Sequence, residues 1–171
     1  YLPSDRDTWT WRRSQLSDII DMVQLSQTYF QPEMEQILQP DPALFARNIG
    51  IAVITQMHAA TQEQVIVARN NDSDAVMAWA WISRGSYTTY SRDEMAEARF
   101  ASLDLSLPTR TRITMLAQIL IQWHLWCRAA TVPVLVSSSI LNNQTAFMRL
   151  HEQAGFSVRG STAYMRITNG I

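Results

Sequence analysis

The sequence predicts a mixed α/β domain in which helices flank both faces of one twisted, mixed sheet of about six to seven strands. Three observations carry that expectation. Segments of period 2 alternate with segments of period 3.6 along the chain, as they do when strands and helices interleave. The run 76–82 is apolar at both odd and even positions, so it belongs at the centre of a sheet covered on each face. A chain of 171 residues, 47% hydrophobic and 17% charged, suits a single domain over 1–171 with one core.

The first element is a short strand, where Trp9, Trp11 and Arg13 alternate with Thr10 and Arg12. Ser14 then introduces Leu16, Ile19, Ile20, Val23 and Leu25 at helical spacing. Pro32, Pro40 and Pro42 punctuate the next stretch, and Asp41-Pro42 reads as an N-cap with proline in the first turn of a helix over 43–60. Residues 65–68 and 76–82 form a hairpin across a turn at 70–74. In its second strand Met77, Trp79 and Trp81 face one side, and Ala78, Ala80 and Ile82 the other. A polar connection over 86–97 precedes a strand over 100–107, whose Leu103, Leu105 and Leu107 alternate with Ser102, Asp104 and Ser106. Pro108 stops it, and Thr109 or Thr111 caps a long helix reaching residue 130. An apolar strand over 133–140 comes after it, then a helix over 144–153 opened by Asn142-Asn143 and closed by Gly155. A hairpin of 156–159 with 163–167 around Gly160 ends the chain.

Composition excludes several functions. Fourteen basic residues against 15 acidic, with pI near 6.3, create no positive field, so general nucleic-acid binding is not expected. All 14 basic residues are arginine, which removes lysine Schiff-base chemistry and the lysine of a phosphate-binding P-loop. The single Cys127 excludes an internal disulfide and a cysteine zinc site, and among Leu125, Trp126 and Ala129 it reads as a small buried hydrophobe. His58 and His124 lack partners at metal-ligand spacing, so no metal is expected. No segment approaches a membrane span and 1–13 carry no signal-like stretch, so the expected setting is soluble and cytoplasmic.

The order of elements, together with the segment 143–156 (NQTAFMRLHEQAGF), resembles the GNAT superfamily of acetyl-CoA-dependent N-acetyltransferases over nearly the whole chain. The entry Trp11-Arg12-Arg13-Ser14-Gln15-Leu16-Ser17-Asp18 looks like that family's first strand and helix start. The spacing of Ala146, Leu150, Gly155 and Phe156 looks like its last core helix. The resemblance implies acetyl-CoA as cofactor, its pyrophosphate bound by a Gln/Arg-x-x-Gly-x-Gly/Ala loop between the fourth strand and the next helix. That loop corresponds to 107–115, with Arg110 in first place and Ile113 and Met115 at the glycine positions. Further cofactor contacts are implied at Leu105, Leu107, Arg112 and Asn143, with Asp104 as general base. His151 stands where the family has a tyrosine that protonates the departing thiolate.

Each position also has a reading from residue type alone. A phosphate cradle needs close backbone approach, which glycine permits and β-branched Ile113 resists. Arg110 and Arg112 fall in a helix's first turn, where cations are unfavourable without an anion; they either clamp phosphate or reach neighbouring acids. Asp104 is either a base or a hydrogen-bond partner of Ser102, Ser106 or a helix cap. His151 is either a proton donor or a partly exposed helix residue facing Glu152 or solvent. Asn143 is either a pantetheine contact or an N-cap. The six tryptophans and eight methionines serve core packing first.

Two functions suit this pattern. In one, Ile113 and Met115 abolish ordinary acetyl-CoA binding, and the fold serves as a binding or assembly subunit, like GNAT-like proteins of tailed bacteriophages carried in virions. The helix 109–130, apolar almost all round, then offers a surface to a protein partner or a homo-oligomer, with Met115, Ile121 and Leu125 outside its main stripe. In the other, the protein is an active N-acetyltransferase in which Arg110 and Arg112 bind phosphate, Asp104 is base and His151 acid. Restoring glycine at 113 and 115 should strengthen coenzyme A binding if only the loop is lost.

Overall fold

A computed structural model describes residues 8–34, 37–139, 145–160 and 162–167; Asn143 and the start of the last predicted helix lie outside them. One sheet runs in the order β1 (Trp9–Arg13), β2 (Glu63–Asn70), β3 (Val76–Ser86), β4 (Met95–Leu103), β5 (Val134–Val136). The pairings are antiparallel except the last, where α4 (Thr109–Ala129) carries the chain from β4 to a parallel β5. Helices α1 (Ile19–Tyr29), α2 (Gln31–Met34) and α3 (Pro42–His58) precede β2, and α5 (Thr145–Gln153) comes after β5.

Strand alternation decides which helix covers which face. Val65, Val67 and Trp79 pack with Met22 of α1 and with Ile49 and Val53 of α3. Ile66, Ala80 and Ile82 pack with Ile119, Leu120 and Trp123 of α4. The Trp79 indole N–H donates to Met22 O and Ser26 Oγ, each at 3.0 Å, which satisfies its one polar atom inside the core. Asp41 caps α3 as its residue type demands, its Oδ1 accepting from Leu44 N at 3.0 Å with Pro42 in the first turn.

Several expectations are corrected. The sheet has five strands among the described residues, because 156–160 and 162–167 trail α5 without pairing. The predicted hairpin around Gly160 therefore does not form there; β5, only three residues long, offers it little edge. Strand β4 starts five residues before position 100 and stops at Leu103. Its end is set by Ser106, whose N–H and hydroxyl both donate to Asp104 Oδ1, at 2.9 and 2.6 Å, and fold 104–107 into a turn. Leu105 is consequently exposed, and Leu107 packs beside Met115 instead of continuing a strand edge. Met77 joins the α4 side, opposite Trp79, because a register shift between Ala68 and Arg69 makes it the extra residue of a bulge. In α1 the buried stripe is Met22, Val23 and Ser26, while Ile20 faces solvent. Pro108 occupies the N-cap position of α4, so neither Thr109 nor Thr111 caps it. Along α4 Met115 is buried, whereas Ile113, Ile121 and Leu125 are exposed. No helix among the described residues is long and apolar enough to cross a membrane.

Candidate active site

Strands β4 and β5 pair over Met95, Ala96 and Glu97 with Val134, Leu135 and Val136, and then separate. Beyond that point lies a cleft of about 160 Å³. One wall is Ala98, Arg99, Phe100 and Ala101 of β4; the other is Ser137, Ser138 and Ser139 after β5; Phe30, Trp123 and Phe147 complete it. Arg99 is itself a bulge residue, since Trp81 pairs with Phe100 while Ile82 pairs with Ala98. Trp123 is buried, and its indole N–H has no acceptor among the described residues.

A second cavity of about 210 Å³ lies against α1, α2 and α3, walled mainly by Phe30, Met34, Leu38, Phe45 and Phe100. Phe30 and Phe100 border both spaces and meet edge to face at 4.7 Å. The two cavities therefore share one aromatic partition at the middle of β4.

His151 is 1% exposed, not turned to solvent or Glu152. Its Nε2 lies 2.8 Å from Ser137 Oγ and its Nδ1 2.9 Å from Phe147 O. Burial holds its pKa below the usual 6.5, against a smaller opposing effect of the Phe147 carbonyl. Sequence reasoning missed Ser137; the only signal was a run of three serines at the end of an otherwise apolar strand.

Asp104 sits one residue past β4 and borders neither cavity. Its Oδ1 accepts from Tyr29 Oη at 2.9 Å as well as from Ser106. Burial acts to raise its pKa, yet these hydrogen bonds outweigh it and hold the carboxyl below its ordinary value. The structure thus makes Asp104 a hydrogen-bonded link between α1 and β4, away from the cleft lining.

Arg110 and Arg112 lie in the first turn of α4, and neither forms an ion pair with an acid among the described residues. Arg112 Nη2 donates to Thr109 Oγ1 at 3.1 Å, while its Nε is buried without a partner. Ile113 and Met115 stand inside the helix, one exposed and one in the core, and not in the turn that precedes it. Cys127 is buried, which pushes its thiol up to about 11 and leaves it inert. No group of metal-ligating side chains forms among the described residues.

No protein-family model and no curated protein matches the chain. Its architecture does match solved structures. One is the aminoglycoside antibiotic 6'-N-acetyltransferase AAC(6')-Ih from Acinetobacter baumannii, 16% identical with a TM-score of 0.66, covering 95% of this chain and 99% of that one. Another is glucosamine-6-phosphate N-acetyltransferase from Arabidopsis thaliana, 10% identical with a TM-score of 0.63, covering 95% and 100%. A third, AAC(6')-Iy solved with the bisubstrate analogue CoA-S-monomethyl-acetylneamine, is 14% identical with a TM-score of 0.66, covering 95% and 99%. The chain has the fold of the GNAT acetyltransferases.

Proposed function

We propose that the protein transfers an acyl group, acetyl in the simplest case, from a coenzyme A thioester to an apolar primary amine. The parting of β4 from β5 carries this reading, because it opens a cleft between two strand ends, and the strand that forms one of its walls leads through 104–108 to the start of α4. The residues fit the group. Thr109, Arg110 and Thr111 present the first-turn amides of α4 with no side-chain cap, and Arg110 and the unpartnered Nε of Arg112 add cationic donors for phosphate. Ile113 and Met115 lie past those amides, so their bulk does not stand in the way. When bound, coenzyme A supplies the activated thioester; the chain excludes water, orients the acyl carbon and admits the amine.

The acceptor class is inferred from the second cavity, whose walls are largely aromatic and aliphatic. An apolar side chain desolvates there at little cost, whereas a polycation would lose hydration with Asp41, which already caps α3, as the one acidic residue in the described lining. The test is thiol release from acetyl-CoA with 2-phenylethylamine and, separately, an aminoglycoside as acceptor. Release with the aromatic amine alone is expected. A preference for the aminoglycoside would overturn the acceptor class, and no release with any amine would overturn the transfer reading.

A further inference from the structure

We propose that Phe30 sets the acyl class of the donor: with its ring against Phe100, the cleft between β4 and β5 admits a short acyl group, acetyl or propionyl, and excludes a medium-length chain. The assignment rests on the thioester reading above. Among the described residues, Phe30 and Phe100 are the two that border both cavities. Their rings meet edge to face at 4.7 Å, so one ring pair separates a space of about 160 Å³ from one of about 210 Å³.

The two rings are held differently. Phe100 has its backbone in the β4 ladder opposite Trp81; its ring stacks on buried Trp79, with centroids 4.9 Å and planes 12° apart, and Phe45 stands 5.1 Å away. Phe30 is half-buried at the C-terminal end of α1, directly before α2, and among the described residues its ring meets no aromatic ring but Phe100. The neighbouring Tyr29 Oη donates to Asp104 Oδ1 at 2.9 Å, which ties this end of α1 to the end of β4 and sets where Phe30 stands. Phe30 is therefore the part of the partition whose size decides whether the two spaces join, and it can be changed without disturbing the sheet.

Amine and acyl chain ask different things of this partition. Transfer needs contact between one amine nitrogen and one acyl carbon, which a small turn of the Phe30 side chain allows. A medium-length acyl chain needs continuous apolar space, and the space next to the cleft is the second cavity, walled by Met34, Leu38 and Phe45. With Phe30 in place that cavity is left to the amine. Without the ring, acyl chain and amine compete for one volume, and each methylene that leaves water favours the longer thioester.

The experiment is calorimetric titration with the S-ethyl and S-octyl thioethers of coenzyme A, which carry a chain and cannot transfer it, with and without 2-phenylethylamine. The unaltered protein should bind the S-ethyl thioether at least about tenfold more tightly than the S-octyl one. Phe30→Ala, and the milder Phe30→Leu should alanine prevent folding, should tighten S-octyl binding at least about tenfold and leave S-ethyl binding within about twofold. Phe30→Tyr keeps the partition and should behave as the unaltered protein. In the opened variants 2-phenylethylamine should weaken S-octyl binding and leave S-ethyl binding unchanged, a pattern that a loosened fold does not produce. Equal binding of both thioethers by the unaltered protein, or folded Phe30→Ala and Phe30→Leu proteins that gain nothing for the S-octyl chain, overturns the assignment and leaves the thioester reading standing. Failure of both thioethers and of coenzyme A itself to bind overturns the two together.

Discussion

Asp18 is 1% exposed and accepts hydrogen bonds from Arg12 Nη1 and Nη2 at 2.7 and 2.8 Å, Gln15 N at 2.7 Å, and Arg69 Nε and Nη2 at 3.0 and 2.8 Å. It ties β1 and β2 to the start of α1. Burial works to raise its pKa, but the hydrogen bonds from Arg12, Gln15 and Arg69 prevail and hold it at about 2 against the usual 3.8. A carboxyl whose folded pKa is lowered contributes stability above its unfolded value and loses it as pH falls through the folded one. Asp18→Asn should therefore cost about 3 kcal/mol at pH 7, since Arg12 and Arg69 would lose the buried carboxylate they share and Arg69 would keep only the more exposed Asp21 and Asp74. The deficit should shrink as pH falls from 4 towards 2, as denaturant titration at several pH values would show; equal deficits at pH 7 and pH 2 would refute it. Residue type alone singles out Asp104 and His151 as chemistry-bearing. Their partners do not show in it, because Tyr29 lies 75 positions from Asp104 and Ser137 meets His151 only once β5 and α5 are packed.

Helix α4 shows what substitution within one element can and cannot restore. Ile113 is 46% exposed and Met115 fully buried against Ala68, Met77 and Ala78, both well inside a 21-residue helix. Glycine at 113 should cost about 1 kcal/mol by helix propensity, and glycine at 115 about 3 kcal/mol or more through the cavity it leaves. Neither should tighten coenzyme A binding, contrary to what a motif alignment implies. Thermal melts and ligand titration of both variants check this, and a gain in affinity would place the phosphate turn elsewhere than the start of α4. The Asp41-Pro42 start of α3 and the β2–β3 hairpin are legible because their signals are local. The limits of β4 are not, because its bulge at Arg99 and its terminating turn at Asp104 carry no glycine or proline, and side-chain bonds made after folding set them.

Across the molecule, the consequence of this topology is a sheet that splits at β4 and β5 while α4 and the α1–α3 layer hold its two sides. One cleft borders Ser137 and Trp123, the other is apolar, and Phe30 and Phe100 stand between them. The order of elements makes this architecture readable from the chain, but the opening depends on β5 being three residues long, while a much longer apolar run, 133–140, surrounds it. Acyl-CoA binding is tested most simply by calorimetric titration of the protein with acetyl-CoA beside an Arg110→Ala, Arg112→Ala double variant. Micromolar binding, about −8 kcal/mol, is expected, weakened at least tenfold in the variant. Absence of binding up to millimolar ligand, a free energy no better than about −4 kcal/mol, would rule out an acyl-CoA site at the start of α4.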